Sequence, residues 1–166
     1  MLRVLIGTIL LFNILNVSVA ETVKVKMYTT VAKGQGQYVG LITAKDTPYG
    51  LLLTPNLKIN TQGIHGFHVH QHPDCNNSGL AAGGHLDPEH TGKHLGPYQK
   101  GHLGDMPPIV VDNHGLASLP VLAPRLKVKD IKNHSLMIHV HGDNYSDRPE
   151  KLGGGGPRMI CGVVAK

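Results

Sequence analysis

Histidine is concentrated in one part of this 166-residue chain. Eight of the twelve histidines lie between positions 65 and 102, namely His65, His68, His70, His72, His85, His90, His94 and His102. Neutral imidazole is the commonest metal ligand among protein side chains. Such a stretch is either a flexible metal binder at the surface or part of an ordered site, and the spacing of the histidines distinguishes the two.

One set of histidines follows short apolar runs. His68 and His70 come after the run Ile64–Phe67, and alternate residues of a strand point to the same face. Two imidazoles placed in this way could bind one metal side by side. His139 ends another apolar run and could add a third imidazole from a neighbouring strand. Three or four imidazoles in a flattened arrangement are typical of copper.

A second set lies in a segment rich in glycine and proline. It consists of His85, His94, His102 and Asp105, each with Gly or Pro close by in sequence. Glycine and proline let a backbone curl around a small ion. Three imidazoles and one carboxylate suit a tetrahedral zinc site with no open position. A closed site of this kind is structural, and the metal would help to fold the segment.

The rest of the sequence must supply the elements that position these side chains. Thr22–Tyr28 alternates apolar and polar residues, as a half-buried strand does. The other predicted elements are strands at Tyr38–Ala44, Leu51–Leu57, Ile64–Val69, Ile109–Val111, Leu116–Leu122, Leu136–Val140 and Ile160–Ala165, and a helical turn near Val128–Lys132. Gln71–Met106 and Asp143–Pro157 lack periodicity, so these long loops must be functional or internally braced. Short strands with long connections predict an antiparallel sandwich or barrel.

The first twenty residues are typical of a secretory signal peptide. Arg3 precedes the mostly apolar Val4–Val17, and Ser18-Val19-Ala20 has small residues where a signal peptidase cleaves. The apolar run is short and interrupted for a membrane span. We therefore expect a signal peptide at residues 1–20 and a single mature domain at 21–166. A buried N-terminal helix or a membrane anchor are the alternatives.

Cysteine content and charge narrow the class of protein further. Cys75 and Cys161 are the only cysteines, and in an oxidising compartment they would form a disulfide; the alternative is two buried thiols. The formal net charge is +5, and loss of Arg3 with the signal leaves +4. This mild excess, without a Lys/Arg run, argues against nucleic-acid binding and gives a weak bias toward small anions.

Four segments together resemble the copper–zinc superoxide dismutases of the bacterial periplasmic kind. They are GIHGFHVH at Gly63–His70, GGHLDPEHTGKHLGPYQKGHLGD at Gly83–Asp105, SLMIHVHGDNYSD at Ser135–Asp147 and LGGGGPRMICGVV at Leu152–Val164. The resemblance covers essentially the whole mature chain. It implies an all-β fold, an eight-stranded antiparallel Greek-key β-barrel (an immunoglobulin-like sandwich) with two long functional loops.

The resemblance also implies a role for individual residues. It implies one copper ion per subunit on His68, His70, His85 and His139, and one zinc ion on His85, His94, His102 and Asp105, with His85 bridging the metals. Asp143 would accept a hydrogen bond from a ligand histidine of each metal. Cys75 would pair with Cys161. Arg158 would stand over the copper and attract the substrate anion.

The activity that the resemblance implies is disproportionation of superoxide to O₂ and H₂O₂ through Cu(II)/Cu(I) cycling, which would protect the cell envelope from the periplasm. No nucleic-acid or membrane partner is expected, and the protein would be a monomer or a homodimer. The alternatives are a metal carrier without turnover and a copper-only dismutase, which would lack the zinc ligands. His141 forms a second His-x-His pair with His139, but the family register favours His139 as the ligand. A haem or partner site on a spare histidine is only weakly motivated.

Overall fold

A computed structural model describes residues 20–166 of the chain. The predicted signal peptide therefore lies outside the described residues, apart from Ala20. The elements are β1 (Thr22–Thr29), β2 (Tyr38–Thr47), β3 (Gly50–Lys58), β4 (Gly63–His65), β5 (Phe67–His70), β6 (Ile109–Val111), β7 (Leu116–Ala117), β8 (Val121–Ala123), α1 (Val128–Ile131), β9 (Ser135–His139) and β10 (Arg158–Val163). Short 3₁₀ turns occur at Leu80–Ala82 and Lys151–Gly154. Within residues 20–166, no helix has the length and apolarity needed to cross a membrane.

The strands form a curled antiparallel sheet. Its order is β5-β9-β10-β1-β2-β3-β7, and β8 also pairs with β3. Strands β4 and β6 form a separate pair. One residue separates β4 from β5 at one edge of the main sheet, and a tight turn, with Gly115 N donating to Asp112 O at 3.0 Å, joins β6 to β7 at the other. The small pair thus bridges the two edges, which confirms the predicted all-β antiparallel barrel.

Two of the predicted strands are each divided in the structure. The predicted strand Ile64–Val69 breaks at Gly66, whose N–H donates to His141 O at 2.8 Å instead of continuing one ladder. As a result β4 pairs with β6, whereas β5 pairs with β9. The predicted strand Leu116–Leu122 becomes β7 and β8, because the intervening Pro120 has no N–H to donate to a ladder.

The barrel interior is a single apolar cluster. Along β1, Val25 and Met27 are buried and the alternating Lys24 and Lys26 are exposed, which confirms the alternation in the sequence. Leu51, Leu53 and Leu57 of β3 face the same cluster. Each such side chain contributes roughly 1.5–3 kcal/mol when fully buried. The strands that carry the histidines join the same core through the residues that alternate with them, namely Phe67 and Val69 of β5 and Leu136 and Ile138 of β9.

The first long loop is braced against this barrel in two ways. Its Leu86 and Met106 belong to the core cluster. A disulfide joins Cys75 in the loop to Cys161 on β10, which confirms the predicted pairing. Met137 of β9 packs beside that disulfide. A loop without regular structure is thereby held in one place over β5, β9 and β10.

Candidate metal centre

The ladder between β5 and β9 brings the first three histidines together. His68 pairs with Met137 and His70 with Ser135, so both imidazoles share a face with His139 at the end of β9. All three are buried, with exposed fractions of 0%, 1% and 6% in that order. The His-x-His pair is therefore part of an ordered site and not a surface decoration.

The loop adds a fourth imidazole to this face. His85 forms an isolated β-bridge with His70, and its ring stacks on that of His68 with centroids 3.9 Å apart. The Nε2 atoms of His70 and His139 are 3.4 Å apart. One potential ligand atom from each of the four residues lies within 4.8 Å of the others. We call His68, His70, His85 and His139 the imidazole group.

A second cluster forms around one carboxylate. The Oδ1 atom of Asp105 is 2.9 Å from His85 Nδ1 and 3.5 Å from His102 Nδ1, and its Oδ2 is 3.0 Å from His94 Nδ1. All four side chains are buried. We call them the carboxylate group. The set of ligand atoms that lie within 4.8 Å of one another around Asp105 contains His68 and not His102. The ring of His68 reaches this set because it lies against the ring of His85.

Backbone carbonyls fix the tautomers of two rings in the imidazole group. His70 Nδ1 donates to Gly83 O at 2.9 Å, and His139 Nδ1 donates to Gly156 O at 3.1 Å. A carbonyl oxygen can only accept, so the proton of each neutral ring is on Nδ1. The Nε2 lone pairs are then left for the interior of the group. Outer hydrogen bonds of this kind are typical of histidines that bind metals.

Asp143 performs the same task for one histidine in each group. His68 Nε2 donates to its Oδ2 at 2.8 Å, and His94 Nε2 donates to its Oδ1 at 2.7 Å. Burial raises the pKa of Asp143, but the hydrogen bonds from the two histidines outweigh burial and hold that pKa well below its usual range. The ionised carboxylate therefore orients both rings and leaves Nδ1 of each for the interior.

Several polar atoms in the interior have no hydrogen-bond partner. They are the Nδ1 atoms of His68, His94 and His102 and the Oδ2 atom of Asp105. A buried polar atom without a partner is costly, on the order of 1–3 kcal/mol. All four atoms are electron-pair donors, so bound cations would satisfy them together. Four imidazoles suit copper, and three imidazoles with one carboxylate suit zinc. The residues therefore fit both ions.

Burial keeps the imidazole group neutral. It lowers the pKa of His68, His70 and His85, with the neighbouring rings adding to the effect at His68 and His70. Burial is also the largest cause that lowers the pKa of His139 to about 4. Neutral imidazole is the form that binds a metal.

His94 behaves differently because two carboxylates contact its ring. Burial lowers its pKa, but the close carboxylates of Asp105 and Asp143 outweigh burial and raise it to about 9. The three histidines that surround its carboxylate likewise hold the pKa of Asp105 well below its usual range against burial. The carboxylate group therefore favours a positive charge at His94.

Arg158 borders the imidazole group. It pairs directly with His139 across β9 and β10. Its Nη1 donates to Gly79 O at 2.5 Å and its Nη2 to Gly83 O at 2.6 Å. The carbonyl of Gly83 also accepts from His70, so one carbonyl links the guanidinium to a ring of the imidazole group. The structure thus fixes a half-buried cation beside these histidines.

Asp147 contributes to the site although the sequence analysis did not single it out. Its Oδ2 accepts from the N–H of His94 at 2.9 Å, and its Oδ1 accepts from the N–H of Leu152 at 3.2 Å. One carboxylate therefore ties the first long loop to the second. The only signal in the sequence is its position four residues after Asp143, and that spacing has no fixed meaning in an irregular loop.

Two other histidines lie near the site but outside both groups. His65 is buried, and its ring nitrogens face the carbonyls of Thr61, His139 and Val140, so it packs beneath the end of β9. His141 is exposed, and its ring lies against Gly156. The structure therefore places His139, and not His141, in the imidazole group.

Taken together, the fold and the two groups define a β-barrel protein with two adjoining clusters of side chains that could each hold a metal ion, and His85 belongs to both. The copper/zinc superoxide dismutase (SODC) family model matches residues 38–164. Superoxide dismutase [Cu-Zn] 1 of Salmonella typhimurium (strain 4/74) is 57% identical over 156 residues, which cover 88% of each chain. This chain belongs to the copper/zinc superoxide dismutase family, and it is a copper- and zinc-dependent enzyme that removes superoxide.

Solved structures agree with this assignment. The Cu/Zn superoxide dismutase from Brucella abortus has a TM-score of 0.82 and 48% identity, over 87% of this chain and 99% of that one. The solution structure of the monomeric copper, zinc superoxide dismutase from Salmonella enterica has a TM-score of 0.78 and 49% identity, over the same shares of the two chains.

Proposed function

We propose that this enzyme disproportionates superoxide with copper held by His68, His70, His85 and His139, and zinc held by His85, His94, His102 and Asp105. One observation carries the proposal: His85 is a member of both groups, and its Nδ1 lies 2.9 Å from Asp105 Oδ1, which leaves Nε2 for the imidazole group. A ring placed in this way offers one nitrogen to each of two metals.

The choice of His102 for zinc follows from the unpaired nitrogens. His68 has a single nitrogen left over, since Nε2 donates to Asp143, and a ligand atom of His68 lies within 4.8 Å of the other members of either set. We assign this nitrogen to copper. His102 Nδ1 is buried without a partner and lies 3.5 Å from Asp105 Oδ1. Assigning His102 to zinc leaves each unpaired nitrogen with one metal. Assigning His68 there would leave His102 buried with nothing to bind.

The chemistry divides between the ions and the side chains. When bound, copper would supply one-electron exchange with superoxide, and zinc would supply a fixed charge that never changes valence. His85 can hold a proton on Nε2 while Nδ1 stays directed at Asp105. Asp143 keeps the rings of His68 and His94 in the required tautomers through both half-reactions.

Arg158 is proposed to guide the substrate. Superoxide is a small anion, and a cation fixed at the edge of a site raises the rate of encounter with it. The guanidinium is held by two carbonyls, so its position does not depend on the substrate. Lys93 and Lys100 are candidates for outer members of the same positive surface, because both are exposed in the first long loop.

We propose that the mature protein comprises residues 21–166 and acts in the periplasm, where it would protect the cell envelope. The signal-peptide pattern of residues 1–20 supports this location, and so does a disulfide, which persists in oxidising compartments. Cell fractionation and N-terminal sequencing of the exported protein test both parts.

The proposed assembly is a monomer or a homodimer with one copper and one zinc ion per subunit. Sedimentation of the loaded protein tests it.

The decisive experiment loads the purified protein with both ions, measures its metal content by elemental analysis and assays superoxide removal. We expect one copper and one zinc per chain, and rapid removal. His85→Ala should abolish most of the activity, whereas His114→Ala, at an exposed histidine, should not. Copper bound with negligible turnover would instead favour a metal carrier. Full activity without zinc would favour a copper-only dismutase.

A further inference from the structure

The segment between two of the proposed zinc ligands closes on itself. His102 N–H donates to Lys93 O at 2.9 Å, so the residue before His94 is tied to the next ligand. Gly101 lies where the two stretches of chain touch, and a Cβ atom there would be 2.5 Å from Lys93 O. A side chain at that position would push the stretches apart. No backbone hydrogen bond within this segment uses the carbonyl of Gly101 as an acceptor, so that carbonyl is left for a partner outside the segment.

Arg125 binds the end of this segment from outside. Its Nη1 donates to Gly101 O at 3.2 Å, and its Nη2 donates to the carbonyl of His102. The same carbonyl of His102 accepts from the N–H of Asp105 at 3.4 Å. The guanidinium is therefore in direct contact with the backbone of one proposed zinc ligand and one hydrogen bond away from another.

The barrel anchors the backbone on both sides of Arg125. The residue lies between β8 and α1, after Pro124 and before Leu126, and Leu126 is buried in the core. Its own Nε atom is buried without a partner. A buried donor without a partner is unfavourable, so the two contacts with the loop must outweigh that penalty. The planar fork of arginine suits two neighbouring acceptors, which a lysine ammonium cannot match.

We propose that Arg125 is a positioning residue for zinc: it fixes the backbone at Gly101 and His102 so that His102 Nδ1 faces Asp105 before the metal arrives. The inference rests on the proposed zinc assignment. A site that is ordered in advance does not spend binding free energy on ordering the loop. Loss of an outer contact to a metal ligand typically weakens metal binding by about 10–100-fold. Arg125 should therefore affect the zinc site more than the imidazole group.

The test measures zinc affinity of the mature protein by competition with a chromogenic chelator. Arg125→Gln should raise the zinc Kd about tenfold or more and should alter the visible spectrum of Co(II) placed in the zinc site. Arg125→Lys, which can bind one carbonyl, should lie between this variant and the wild type. Arg148→Gln removes an exposed arginine as the matched control and should change neither measurement.

Thermal unfolding of the metal-free variants separates positioning from a general structural role. Wild-type melting of the metal-free protein, together with weakened zinc binding, supports the proposal. An unchanged zinc Kd and Co(II) spectrum in Arg125→Gln would overturn it; if that variant does not fold, the same comparison with Arg125→Lys decides. A His102→Ala protein that binds zinc as tightly as the wild type would refute the zinc assignment, and not the role of Arg125 alone.

Discussion

At the scale of single residues, the site depends on which protonation state each histidine holds before any metal binds. Burial lowers the pKa of His139 to about 4, whereas two carboxylates raise the pKa of His94 to about 9. Both shifts start from an ordinary value of 6.5. Neutral rings are in the form that could bind copper. The proton on His94 supplies the positive charge that a zinc ion would supply at the proposed zinc site. The stability of the metal-free protein should therefore depend on pH through both sets of histidines.

The metal-free protein should lose stability as the pH falls from 6.5 to about 4. In that window unfolded histidines take up protons, but folded His139 does not, and the lowered pKa values of His68, His70 and His85 act in the same direction. His94 acts oppositely: its stabilising proton is lost as the pH rises from 6.5 to about 9. The melting temperature, followed by circular dichroism, should therefore be highest near pH 6–7. A melting temperature that rises toward pH 4 would contradict this.

At the scale of elements, the second long loop contacts the site at a glycine where a Cβ atom would collide with a carboxylate. Gly153 has φ +73, and a Cβ atom there would lie 2.0 Å from Asp143 Oδ1 and 2.7 Å from His94 Nε2. Gly154 has the same φ, but its Cβ would meet only Glu150, at 3.6 Å or more. Substitution of Gly154 would therefore test backbone strain alone, whereas substitution of Gly153 would add a collision with the site.

Gly153→Ala should weaken zinc and copper binding together, because the new methyl group must displace the carboxylate that orients His68 and His94. Gly154→Ala should carry only the left-handed strain, about 1–2 kcal/mol, and retain both metals. Elemental analysis after dialysis and urea unfolding of each variant check the two parts. Equal metal content in the two variants would show that Asp143 tolerates displacement.

The disulfide between the first long loop and β10 should stabilise both the fold and the site. The cysteines are 86 residues apart, and closing a loop of that length should contribute about 4–5 kcal/mol in the chain-entropy model. Gly83, whose carbonyl binds His70 and Arg158, lies in the tethered loop. A Cys75→Ser, Cys161→Ser protein should therefore unfold at lower urea concentration and also lose activity while still folded. If the folded double variant kept full activity, the loop would not need this tether.

The same elements show what the sequence could predict. The His-x-His pair on β5 was predictable because strand periodicity is local, and the ladder to β9 brought His139 as expected. The break at Gly66 was not, because it depends on a bond to His141, 75 residues away. The sequence did not reveal the roles of Asp147 and Arg125 for a similar reason. Both side chains bind backbone atoms of a distant loop, and such contacts leave no pattern in sequence.

At the scale of the whole molecule, attraction of the substrate anion depends more on where the positive charges lie than on the net charge. The net charge of residues 21–166 is only +4, which gives weak long-range attraction for an anion. A fixed guanidinium beside the imidazole group concentrates positive potential where the anion enters the site, and dissolved salt weakens that attraction. If encounter limits the rate, this one cation should account for a large part of the salt dependence.

Arg158→Glu should lower the superoxide removal rate about tenfold or more and flatten its dependence on ionic strength, with both metals retained. Arg158→Lys keeps the charge and should keep most of the salt dependence. Lys129→Glu, at an exposed residue of α1, changes the net charge by the same amount and serves as the control. Rates measured from low to physiological salt give the slope for each variant. If Lys129→Glu flattened the slope as much as Arg158→Glu, total charge and not the placed guanidinium would govern encounter, and Arg158 would lose its guiding role.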